Sequence, residues 1–239
     1  MEPYIIFSYG RCGSTLLADL IGATLYSKER NIRYTKDKRR ANKIDKFPAD
    51  VVVERFAKHE YVFSDDNVSP GVELQKYKVI HTHQLDHRYV ELTKTSTIFF
   101  CTRRDLVETI SSQMIAHHSG VYNHFLHLKN HSHEHWSNNI PTEKLVLPDD
   151  QVNRHVKGAY GLIERYKKCK QQNANAHLLF YEDWIRNFEN LPFKVEYNQD
   201  LNHKMSRKVP VDKKEWVDYD RLTQQILKFN NGSTQLKIQ

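Results

Sequence analysis

Cysteine and glycine are scarce in this chain of 239 residues, with three of the first and eight of the second. Cys12, Cys101 and Cys169 show no paired spacing, which excludes a disulfide framework and a zinc finger. Cys12 and Cys101 read as small packing residues. No stretch approaches the roughly eighteen consecutive apolar residues of a membrane span. Glu2 and Pro3 precede the first apolar run, and Arg11 soon interrupts it. No signal peptide is read there, and a cytoplasmic location is expected. Repeats and Pro- or Gly/Ser-rich linkers are also lacking, so 1–239 reads as one domain. Acidic excess is missing too: 36 Lys and Arg against 29 Asp and Glu leave a net charge of +7. Anionic partners are therefore favoured over cationic ones. Much of the excess sits in KERNIRYTKDKRR (28–40), which reads first as a solvated face and second as an electrostatic collar for a nucleotide or acidic acceptor. Without an aromatic-interleaved RNA motif or a zinc module, nucleic acid is not an expected partner.

What is present alternates. YIIFSY, from Tyr4, reads as a buried strand, and 14–27 as a helix with Leu16, Leu17, Leu20, Ile21 and Leu25 at helical spacing. KYKVIHTH (76–83) reads as a second strand. TSTIFFCT (95–102) reads as a third, β-branched and aromatic without charge, as in a strand buried on both faces. Helices are expected over 105–117 and 150–172, then a strand at 176–181, a helix beginning in EDWIRNF, and a last helix near 218–229. Strands alternating with helices predict an α/β fold with a parallel sheet covered on both sides. Ligands on such sheets bind beyond the C-terminal ends of the strands, and the candidate residues below fall at such ends.

The segment SYGRCGST (8–15) is the sharpest of these. Gly10 and Gly13 permit a tight turn that brings backbone N–H groups toward an anion. Ser14 and Thr15 then open a helix, with hydroxyls and free N–H groups at the positive end of its dipole. Arg11 adds a full charge. The pattern points to phosphate or sulfate. It is not a Walker A loop, because Ser14 follows Gly13 with no intervening lysine, and it is not the G-x-G-x-x-G dinucleotide fingerprint.

The turn resembles the phosphosulfate-binding loop of sulfotransferases that use 3′-phosphoadenosine 5′-phosphosulfate (PAPS). Arg11, Cys12, Gly13, Ser14 and Thr15 fit that loop, with Gly10 where the family often has proline. FFCTRRDLVETISS (99–112) resembles the second signature, in which an Arg at a strand end and a Ser eight residues later hold the 3′-phosphate. Arg103 and Ser111 fit that spacing, and Arg104 with Ser112 is the shifted alternative. KVIHTHQL (78–85) resembles the stretch that carries the catalytic histidine, here His83, with His81 in place of the family's Lys. LLFYEDWIRNF (178–188) looks like a late fold marker, and MSRKVPVDKKEW (205–216) like the late basic segment, which would add Arg207 and Lys208.

The resemblance implies a three-layer α/β/α sulfotransferase fold similar to that of P-loop NTPases. It implies transfer of a sulfuryl group from PAPS to an acceptor hydroxyl or amine, releasing 3′-phosphoadenosine 5′-phosphate (PAP), with no metal required. His83 would take the acceptor proton, since an imidazole of ordinary pKa is mostly neutral near pH 7. Arg11 and the turn's N–H groups would stabilise charge on the departing phosphate. A small phenol, a carbohydrate, a lipid head group or a peptide tyrosine all remain open as acceptor. Oligomeric state is not legible. HHSGVYNHFLHLKNHSHEHW (117–136) holds seven of the fourteen histidines and reads as a surface or lid segment before a metal site. Two rival readings stand beside this one: a P-loop-type small-molecule or nucleotide kinase, which predicts a lysine before Ser14, and a non-catalytic nucleotide-binding module, which predicts binding that survives loss of His83.

Overall fold

A computed structural model describes residues 4–14, 16–17, 20–21, 79–82, 92–119, 140–194 and 212–238. Its centre is a sheet of four strands: β1 (Tyr4–Ser8), β2 (Val79–Thr82), β3 (Thr97–Thr102) and β4 (Ala176–Phe180). Their spatial order is β2-β1-β3-β4, and every pairing is parallel. Parallel pairing requires long crossovers between strands, and the chain lengths between these strands supply them. The protein is thus α/β with a parallel sheet, as the alternation predicts.

Each observed strand lies within the segment assigned to it from the sequence. TIFFCT, read as buried on both faces, is buried from Ile98 to Thr102. Successive residues of a strand point to opposite faces. On one face Ile5, Phe7, Ile98, Phe100 and Ala176 form a buried cluster with Leu162, and Tyr166 and Cys169 pack against it. On the other face Phe99 stacks on Tyr4 at 6.1 Å between ring centroids and meets His177 at 5.7 Å and Phe193 at 5.5 Å.

The helices follow the same order. Helix α1 opens at residue 14 and is described at residues 14, 16, 17, 20 and 21. It is followed by α2 (Leu92–Thr95), α3 (Leu106–Ser119), α4 (Asp149–Gln172), α5 (Tyr181–Trp184), α6 (Lys213–Trp216) and α7 (Tyr219–Phe229). The helix expected from EDWIRNF is a single turn, α5, followed by a 3-10 turn at Phe188–Asn190. Asn187 caps that 3-10 turn: its side chain accepts from the N–H of Glu189 at 2.9 Å, a local bond that competes with a continuous helix through 188.

The residues group into two compact units, one of Met1–Thr102 with Leu162–Asn198, the other of Arg103–Gly161 with Gln199–Gln239. The first holds the sheet. In the second, α3 buries Leu106, Val107, Ile110, Met114 and Ile115. Trp216, Val217, Leu222, Ile226 and Leu236 are buried in the same unit. Its C-terminal tail fixes the backbone ahead of α3: Leu106 N–H donates to Thr234 C=O at 3.0 Å and Leu236 N–H to Arg104 C=O at 2.7 Å. Asn230 organises that tail, donating to the carbonyls of Ser233 and Gln235 and accepting from the Tyr160 hydroxyl.

Candidate functional site

The strand order places the three strands that lead into candidate segments side by side. Because all strands run the same way, their C-terminal ends share one edge of the sheet. β1 is flanked by β2 and β3, with Phe7 opposite Thr82 and Ser8 opposite Cys101. The glycine turn leaves β1, position 83 follows the last residue of β2, and position 103 follows the last residue of β3. The chain moves to one side after β1 and to the other for β3 and β4, so a topological switch point lies between β1 and β3. Crevices at such points are where open α/β sheets bind ligands.

The glycine turn has the conformation its residues suggest. Gly10 has φ +67° and Gly13 has φ +75°, both in the left-handed region that favours glycine. Tyr9 N–H continues the ladder to Cys101 C=O at 3.1 Å, and Cys12 N–H closes back on Gly10 C=O at 2.7 Å. Leu17 N–H reaches Gly13 C=O at 3.0 Å, so the N–H groups of Ser14 and Leu16 precede the helical ladder. Ser14 is buried at the start of α1, and Arg11 is half-buried. Cys12 is fully buried, which fits a packing role for its side chain. Burial also pushes the Cys101 thiol well above its ordinary pKa, with Cys12 adding to the rise, and Tyr9 is pushed up by burial to about 12.

A wall beside this turn was not legible in the sequence. A Cβ on Gly13 would lie 2.6 Å from Cδ2 and Cε2 of Tyr181 and 3.2 Å from Cζ2 of Trp184. These residues sit on α5, directly after β4, in the segment read only as a fold marker. The close approach gives Gly13 a second reason to be glycine.

The segment after β3 holds a polar cluster. Arg103 Nη1 lies 3.6 Å from Glu108 Oε2. Lys213 Nζ pairs with the same Oε2 and also donates to Glu108 C=O at 3.3 Å. The Tyr219 hydroxyl donates to Glu108 Oε1 and lies 3.4 Å from Ser111 Oγ. Ser111 is fully buried, and its Oγ donates to Glu108 C=O at 3.3 Å. In the shifted register, Ser112 Oγ donates to the same carbonyl at 2.8 Å. Asp105 begins α3 with its carboxylate accepting Glu108 N–H at 3.0 Å. Burial pushes Glu108 upward, but hydrogen bonds from Lys213 and Tyr219 and the charges of Lys213 and Arg103 outweigh it and hold its pKa below the usual carboxylate range. Burial holds Lys213 below the usual lysine range despite the Glu108 bond. Burial and the bond to Glu108 raise Tyr219.

Sequence reasoning selected Arg103 and Ser111 but not Glu108, Lys213 or Tyr219. Lys213 and Tyr219 stand 105 and 111 residues from Glu108 along the chain, so no local pattern connects them to it. His83, Thr15, Arg207 and Lys208 lie outside the described residues, as does most of the histidine-rich stretch. Its first members, His117 and His118, end α3 and are exposed. Among the described residues, no group of three or more His, Cys, Asp or Glu is placed to hold a metal ion. No helix among them is long and apolar enough to cross a membrane. Compared with known proteins, the chain matches no family model, no curated protein and no solved structure.

Proposed function

We propose that this chain is a PAPS-dependent sulfotransferase with a three-layer, P-loop-like fold. The observation that carries the reading is the strand order: β2, β1 and β3 end side by side, and those ends precede His83, the glycine turn and Arg103. The donor chemistry fits a nucleotide bearing two separate anionic groups. The turn offers backbone N–H groups, Ser14 and Arg11, which suit the phosphosulfate. Arg103 suits the 3′-phosphate that distinguishes PAPS from adenosine nucleotides lacking it.

In the proposed reaction the acceptor oxygen or nitrogen attacks sulfur as the bond from sulfur to the bridging phosphate oxygen breaks. The acceptor's proton passes to His83, and PAP leaves with the electron pair of the broken bond. Arg11 and the N–H groups at the start of α1 meet the negative charge that develops on that bridging oxygen. Histidine at position 83 is suited to the proton transfer because its ordinary pKa is close to working pH. The acceptor is a small molecule, a carbohydrate, a lipid head group or a peptide tyrosine. The missing lysine before Ser14 weighs against a kinase.

Calorimetric titration with PAP, AMP and ATP–magnesium tests the reading. Tight PAP binding with AMP at least about ten-fold weaker is the expected result, since one charge-assisted phosphate contact is worth that much. Preference for ATP–magnesium, or no nucleotide binding, overturns it. An acceptor screen with His83→Ala as control follows: nucleotide binding kept and turnover lost is expected, and turnover kept removes His83 as the base.

A further inference from the structure

The cluster after β3 has an asymmetry that a simple structural ion pair does not require. Three groups from three elements converge on one carboxylate, Glu108: Lys213 and Tyr219 as donors, and Arg103 as an ion pair at 3.6 Å. The two cations are sheltered, with side-chain exposures of 15% for Arg103 and 21% for Lys213, while Glu108 is 40% exposed. A sheltered cation without an anionic partner is costly, so Arg103 and Lys213 require some anion. A half-exposed carboxylate gives up such a pairing at less cost than a sheltered cation does, because water solvates it on leaving. The anion is therefore the replaceable member of the cluster. Guanidinium, ammonium and phenol are also the donors that suit a tetrahedral oxyanion, which offers more acceptor oxygens than a carboxylate.

We propose that Glu108 is a stand-in anion: its carboxylate fills the seat that a phosphate monoester takes on Arg103, Lys213 and Tyr219, and ligand binding displaces it. This extends the reading above, in which Arg103 receives the 3′-phosphate. Glu108 then sets the selectivity of that seat, because a weakly charged or poorly fitting anion fails to compete with it. The charged and titratable groups facing Glu108 are Arg103, Lys213 and Tyr219, and Asp105 is close enough to act on Lys213 and Tyr219. Ser111 Oγ lies 3.4 Å from the Tyr219 hydroxyl and borders this seat, while its own proton goes to Glu108 C=O.

The test compares wild type with Glu108→Gln, which keeps the shape and the hydrogen-bond acceptor but removes the charge. Probes are PAP, AMP and inorganic sulfate, titrated by calorimetry at constant ionic strength. PAP and sulfate are expected to bind about ten-fold or more tightly to the variant. Unchanged or weaker PAP and sulfate binding in the variant overturns the proposal and leaves Glu108 as a brace for Arg103. A second measurement needs no variant to fold: carboxyl-carbon NMR of Glu108 in the wild type, with and without saturating sulfate. Its pKa is expected to rise toward the ordinary glutamate value when sulfate is bound, and an unmoved pKa at saturation overturns the displacement. Tighter sulfate binding in the variant without any preference for PAP over AMP keeps this inference and sinks the sulfotransferase reading. PAP preferred over AMP in wild type, with no gain in the variant, does the reverse.

Discussion

Gly13 meets two independent constraints in one residue. Its φ of +75° is a conformation that an L side chain adopts only with strain of about 1–2 kcal/mol. The methyl group of an alanine would also meet the Tyr181 ring at 2.6 Å. That ring packs edge-on against Trp184 at 5.6 Å, and Trp184 is almost fully buried, so the ring is not a free end that swings aside. Gly13→Ala is therefore expected to lower stability by about 2 kcal/mol or more. It is also expected to weaken anion binding at the turn. Urea unfolding checks the first outcome and PAP calorimetry the second; an unchanged midpoint would show that the turn relaxes freely. The glycine was legible from its place between a buried strand and a helix. Its aromatic neighbours were not, because they lie well over a hundred residues further along the chain.

The strands and helices depend on a few polar anchors at their junctions. α4 ends at Gln172, and the next residue, Asn173, is buried. Its Nδ2 donates to Thr93 C=O at 2.8 Å and Ser96 C=O at 2.7 Å, and its Oδ1 accepts Asn175 N–H at 2.8 Å. One side chain thus ties the exit of α4 and the entry to β4 to α2 and to Ser96, which joins α2 to β3. Asn173→Ala leaves these backbone groups unpaired, and Asn173→Asp presents a negative charge to two carbonyls. Each is expected to cost about 2–3 kcal/mol, since buried unsatisfied groups carry their full desolvation penalty. Thermal unfolding would show the loss, and a shift of under a degree would mean that water replaces the amide. Hydrophobic pattern predicted the elements on both sides of this junction. It said nothing of Asn173, whose partners are set by the packing of α4 on the sheet.

At the scale of the whole molecule, charge is the property that makes stability depend on pH. Glu108 links the loop after β3 with α3, α6 and α7. Its folded pKa is depressed, so its contribution is fully present above the unfolded value of about 4.3 and is lost as pH falls through the folded value. The urea midpoint of the wild type is expected to fall as pH drops below about 5, and that of Glu108→Gln to be flatter over the same window. Equal slopes would show that other carboxylates carry the acid limb. Lys213 is shifted at the alkaline end and does not enter this window. The net charge of +7 adds a general attraction for anions, which salt screens, while the sheltered Arg103 and Lys213 are screened less.

The sequence alone determined the α/β class, the positions of the four strands, and the glycine turn with its opening helix. Those features rest on local causes: side-chain alternation and periodicity, β-branched and aromatic runs, and the backbone freedom of Gly10 and Gly13. Helical periodicity overran at 182–188, where Asn187 offers the backbone a local bond instead. Only the tertiary structure decided that β1 lies between β2 and β3, because strand order depends on which crossovers pack, not on any one strand's pattern. It alone placed Tyr181 and Trp184 against Gly13 and brought Lys213 and Tyr219 onto Glu108. Such contacts form between segments far apart in the chain, and no residue in one segment reports the identity of its partner in the other.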